Sequence, residues 1–67
     1  MLTELLNIIA EIVKAGYDEP TRYQISRWFD YSAEDLTATI NTALKQGLIV
    51  KDGNEYALTA SGKKRIS

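Results

Sequence analysis

The chain has 67 residues with no Cys and no His, and eight Lys plus Arg against nine Asp plus Glu give a formal net charge of −1. That length allows one domain, whose core can hide only about 60% of the surface the unfolded chain exposes; with neither disulfides nor the usual metal ligands to help, added stability is expected from a partner surface or self-association, and a homodimer is anticipated. A near-neutral balance excludes general electrostatic attraction to nucleic acid or acidic lipid, and the lack of His, Cys and a Gly-rich phosphate loop argues against an enzyme, a metal or a cofactor.

Neither a signal-peptide start nor an apolar run of membrane-spanning length is present, which predicts a cytoplasmic protein. In chain order, Leu2, Leu5, Leu6, Ile8, Ile9, Ile12 and Val13 recur on one side at about 100° per residue, with Glu4, Asn7, Glu11 and Lys14 on the other. This predicts a first helix over residues 3–15, stopped by Gly16. Its apolar side spans roughly 160°, more than the ~100° stripe that covers a core, so Leu2 and Ile8 either flank the core or face a second chain. Residues 17–20 form a loop with room for one short strand.

A second helix opens at Thr21, with Gln24 completing a capping box, and runs to about Phe29, with Ile25 and Phe29 inward and Tyr23, Arg27 and Trp28 outward. Asp30 is expected to take a tight turn in the left-handed conformation, and Tyr31 to drop its ring back before Ser32 caps the next helix. The third helix, 33–46, begins with Ser32 and Asp35 and ends at Gly47. Leu36, Ile40, Ala43 and Leu44 form its apolar stripe, leaving Glu34, Ala38, Asn41, Thr42 and Lys45 outward. Residues 48–51 read as a strand, Asp52-Gly53 as a type I′ turn that Asn54 could shift by one, and residues 55–58 as the returning strand. A short final helix over 59–66 is capped by Thr59 and carries Lys63, Lys64 and Arg65 beside one apolar anchor, Ile66.

Three local patterns follow one another: Thr21-x-x-Gln24-Ile25-Ser26, Ala43-x-x-x-Gly47-Leu48-Ile49 and Tyr56-x-Leu58-Thr59-x-x-Gly62. In this order and spacing the chain resembles the winged-helix (winged helix-turn-helix) superfamily, particularly the MarR-like small prokaryotic DNA-binding regulators. The resemblance implies an α+β fold of three helices, a two-stranded hairpin wing and a short C-terminal helix. It also implies transcription regulation through sequence-specific binding of double-stranded DNA, with helix 33–46 in the major groove and hairpin 48–58 as the wing.

Asn41 can pair bidentately with adenine, while Ser32, Thr37 and Thr42 can bond base edges or phosphates; with Ala38 they are the candidate base contacts. Thr21, Arg22, Lys45 and Lys51 are the candidate backbone contacts, and Lys63, Lys64 and Arg65 could extend the footprint. Glu34 and Asp35 repel phosphate from the first turn of the same helix, although the helix dipole accounts for both and either could accept from cytosine N4. The plainer reading of these polar residues is solvated helix surface. The alternative function is a protein-protein interaction module without DNA binding, built on Tyr23, Arg27 and Trp28, residue types that often anchor interfaces. The plainer reading of Trp28 is that it folds over the first helix and shields a thin core.

Overall fold

The computed structural model describes all residues, Met1–Ser67, as helices α1 (Leu2–Lys14), α2 (Arg22–Ser26), α3 (Ala33–Lys45) and α4 (Ala60–Arg65) and strands β1 (Ile49–Asp52) and β2 (Glu55–Leu58). The architecture is α+β. The strands pair antiparallel, with Ile49 opposite Leu58 and Asp52 opposite Glu55. No helix is long and apolar enough to cross a membrane.

Leu5, Leu6 and Ile9 of α1 and Leu36, Ile40 and Ala43 of α3 form one buried cluster with Ile25, Phe29, Leu48, Ile49 and Tyr56. Each fully buried aliphatic side chain stabilises the fold by roughly 1.5–3 kcal/mol. Leu2 and Ile8 pack half-buried on the edge of this cluster, whereas Val13 is left exposed, so α1 does not use its whole apolar side. On α3 the buried stripe runs through Thr39, and Leu44 is only half-buried. Burial of Thr39 is tolerable because its hydroxyl donates to the Asp35 carbonyl at 2.7 Å.

Local chemistry sets the helix ends. The capping box of α2 is closed by Thr21 N–H donating to Gln24 Oε1 (2.8 Å) and Gln24 N–H donating to Thr21 Oγ1 (3.3 Å). Asp35 N–H donates to Ser32 Oγ and Gly62 N–H to Thr59 Oγ1, each at 3.1 Å, starting α3 and α4. At the end of α3, Gly47 N–H donates to the Leu44 carbonyl (3.1 Å) and Leu48 N–H to the Ala43 carbonyl (2.9 Å), the paired bonds of a Schellman stop; Gly16 and Tyr17 bond Val13 and Ile12 in the same way after α1. Leu48 spends its N–H on this stop, so β1 starts one residue later than expected.

Three sequence expectations are corrected. α2 stops at Ser26 instead of Phe29, because the bonding tightens there: Trp28 N–H donates to the Ile25 carbonyl three residues back (3.0 Å) and Ser26 Oγ to the Tyr23 carbonyl (2.6 Å), which swings Phe29 into the core. Asp30 does not adopt the left-handed conformation, since no non-glycine residue has a positive φ; residues 27–32 form a longer link in place of a tight turn. Within this link Tyr31 does fold back, its ring centroid 5.3 Å from that of Phe29. In the hairpin the turn is Gly53-Asn54, the one-residue shift that Asn54 allows, because Asp52 is still paired with Glu55. Only Gly53 has a positive φ (64°), which matches a type II′ turn and not I′. The loop before α2 ends in a single bridge between Thr21 and Glu55, and Tyr56 N–H donates to the Pro20 carbonyl at 2.8 Å, stitching the start of α2 to β2.

Candidate nucleic-acid interface

Glu34, Ala38, Asn41 and Lys45 lie on the side of α3 opposite its buried stripe, with Thr37 and Thr42 on the flanks. All six are exposed, as is Ser32. Their hydrogen-bonding capacity differs. Thr37 and Thr42 donate their hydroxyl hydrogens to the carbonyls of Ala33 (3.1 Å) and Ala38 (2.9 Å), which leaves them lone pairs and methyl groups to present. Ser32 Oγ already accepts from Asp35 N–H but keeps its hydrogen. The Asn41 carboxamide makes no intramolecular hydrogen bond, so its donors and acceptor are all free.

The start of α2 is tied to the start of α3 by Arg22, whose Nη2 donates to the Ala33 carbonyl at 3.2 Å. Arg22 also lines a groove of about 370 Å³ with Lys51 and Asn54 of the hairpin. Three of the four expected backbone contacts, Thr21, Arg22 and Lys51, are thereby brought together. Thr21 lines the same groove; its N–H is spent in the capping box, whereas Oγ1 only accepts there and, like Ser32 Oγ, keeps its hydrogen for an anion. Lys45 stands at the far end of α3, about 18 Å along the axis from Ala33 at ~1.5 Å per residue, and does not form one strip with Arg22. Basic side chains therefore flank the α3 face, and Glu34 and Asp35 occupy its first turn.

The ion pair in the molecule joins the Met1 amine to Glu4 at 3.1 Å; none of the eight Lys and Arg side chains pairs with a carboxylate, so each can meet an external anion. α4 packs against α1 and β2, which makes Lys63, Lys64 and Arg65 a separate basic cluster. No three acidic side chains converge in a way that could hold a metal ion. Glu4 also accepts a hydrogen bond from Tyr31 Oη at 3.3 Å, and its negative charge, ahead of that bond, pushes the Tyr31 phenol above its ordinary pKa.

Trp28 is 65% exposed, so it does not shield the core: the short α2 ends before it, and the turn that follows carries the ring outward while Phe29 goes in. Tyr23 is equally open, and the Arg27 guanidinium is held over its ring at 5.9 Å from the centroid, with Nη1 donating to Tyr23 Oη at 3.3 Å. Helical spacing already places Tyr23, Arg27 and Trp28 outward; that Trp28 stands free and does not fold over α1 depends on where α2 stops. No protein-family model, curated protein or solved structure matches the chain.

Proposed function

We propose that the chain is a winged-helix protein that binds duplex DNA sequence-specifically as a small transcriptional regulator, with α3 in the major groove and the β1–β2 hairpin as the wing. The observation that carries this reading is the outward side of α3: small side chains that permit close approach, one unengaged carboxamide at Asn41, and Arg22 and Lys51 sharing a groove beside its start. The order α1, α2, link, α3, hairpin is compatible with such docking. The role is binding, with no catalytic step and no cofactor. Phosphate contacts from Arg22, Lys45 and Lys51 would give a salt slope of about −2.7 for one copy, at roughly −0.9 per phosphate. Affinity at physiological salt would then be modest unless several copies bind together.

The test compares two variants on a duplex selected from random sequence and on unselected duplex. Asn41→Ala should cost about 1–3 kcal/mol on the selected site and relax one base position, while leaving unselected DNA nearly unaffected. Lys51→Ala should weaken both alike and flatten the salt slope by about one. Equal losses for Asn41→Ala on the two duplexes would sink its assignment.

A second reading, a protein-interaction module that keeps the fold without binding DNA, is favoured by one observation: Trp28 and Tyr23 stand open to solvent beside Arg27. A duplex titration that leaves α3 unmoved would select it.

A further inference from the structure

We propose that the chain associates head to tail with copies of itself, Trp28 of one copy entering the groove between α1, β2 and α4 of the next. This rests on the reading of Trp28 as a protein-binding surface and is independent of any DNA contact. Trp28 forms a ridge between two grooves, one lined also by Glu11 and Arg27, the other by Glu4 and Asp30. Glu4 is shared with the Met1 amine, but Glu11 and Asp30 have no ion-pair partner, and the one guanidinium, Arg27, is engaged with Tyr23. The receiving groove, about 380 Å³, has Ile9, Val13, Leu58 and Ile66 among its apolar lining and Lys14 and Lys63 against the single carboxylate of Glu19. Neither lysine has an ion-pair partner, and Val13 is 44% exposed. Indole meets an apolar groove and carboxylates meet ammonium groups, so shape class and charge sign both match.

The placement of the two surfaces decides the kind of assembly. Counting about 100° per residue along α1, the residues lining the ridge grooves (Glu4, Asn7, Ile8, Glu11, Ile12 and Ala15) centre roughly 160° from those lining the receiving groove (Ile9, Ala10, Val13 and Lys14). Ridge and groove therefore lie on opposite sides of one helix. A two-fold dimer would have to match ridge to groove twice within a single patch, which this placement disfavours. The contact is heterologous and propagates to a third copy and beyond, or closes into a ring.

Sedimentation of the full chain across a concentration series tests this. The wild type should grow past two copies with no plateau at the dimer, and grow less at high salt, because part of the attraction is screened. Trp28→Ala, at an exposed site, should weaken association at least about 30-fold, as expected for a Trp anchor. Lys63→Glu should weaken it by spoiling the other end. Mixing the two variants leaves one intact ridge and one intact groove, so they should form a 1:1 pair and nothing larger. If Lys63→Glu loses the native amide spectrum, Lys14→Glu takes its place. A wild type that stays monomeric, or a mixture that stays monomeric although both variants are folded, overturns the proposal. A dimer plateau that Trp28→Ala abolishes overturns the head-to-tail contact but keeps Trp28 as an interface. Association that Trp28→Ala leaves unchanged overturns both.

Discussion

A side chain can read a base only with hydrogen-bonding atoms not already spent inside the molecule. On α3 the threonines have spent their donors on the backbone and can offer base edges only acceptors and methyl groups, whereas Asn41 keeps everything. Discrimination is thus expected to concentrate at Asn41. The same accounting identifies a contact away from this face: Tyr31 donates to Glu4 and so joins the link before α3 to the first turn of α1. Its phenol is held above the ordinary value first by the Glu4 charge, then by the hydrogen bond, with lesser effects from burial, Asp30 and Asp35. A raised phenol pKa means the native state keeps its proton longer than the unfolded chain. The associated stability is present below the ordinary tyrosine pKa of ~10 and is lost as pH rises through the raised native value. Because the site is exposed, the titration itself is the better readout. Glu4→Gln should return Tyr31 toward the ordinary range when ring signals are followed against pH, and an unchanged Tyr31 titration would mean that the two residues do not meet.

Among the elements, α4 shows most clearly how packing overrides propensity. It has six residues and is held by its first turn: Thr59 N–H donates to the Leu48 carbonyl (3.0 Å) and Thr59 Oγ1 to the Gly47 carbonyl (2.6 Å). Gly62 lies buried against that same Leu48 carbonyl, and a Cβ there would run into its oxygen. Helix propensity alone would have Gly62→Ala stabilise by up to ~1 kcal/mol, but forced repacking costs about 1–3 kcal/mol and should win. Thermal denaturation of Gly62→Ala should show a lower midpoint; a raised one would mean α4 is not seated on the Leu48 carbonyl. The start of α4 was legible because Thr59 and Gly62 act on their immediate neighbours, as do Thr21 with Gln24, Ser32 with Asp35, and the two glycine stops. Features that depend on distant partners were not. The early end of α2 goes with the tightened bonding that brings Phe29 into the core, the one-residue shift of β1 with the bond Leu48 makes to α3, and the burial of Thr39 with its place on the inner side of α3. The α3 face was readable from periodicity, but the meeting of Arg22 with Lys51 required the bridge from Thr21 to Glu55 that sets the hairpin beside α2.

At the scale of the whole molecule, the extents of 26 × 25 × 23 Å are shorter than one turn of duplex DNA, ~34 Å, so a single copy reads less than a turn. With a net charge of −1 there is no long-range field to hold it there, and affinity must come from local contacts multiplied over several copies. Head-to-tail association through Trp28 would supply that multiplication without drawing on α3. The most direct test of the central claim, that the outward side of α3 and the hairpin form a DNA-binding surface, is an amide-shift titration of the labelled chain with random duplex DNA at ~50 mM and again at ~200 mM salt. Signals from Ser32 to Lys45 should move together with those of Lys51 to Asn54, and the effect should fall steeply at the higher salt. Signals that stay still at both salts, or shifts confined to the surroundings of Trp28, would contradict it.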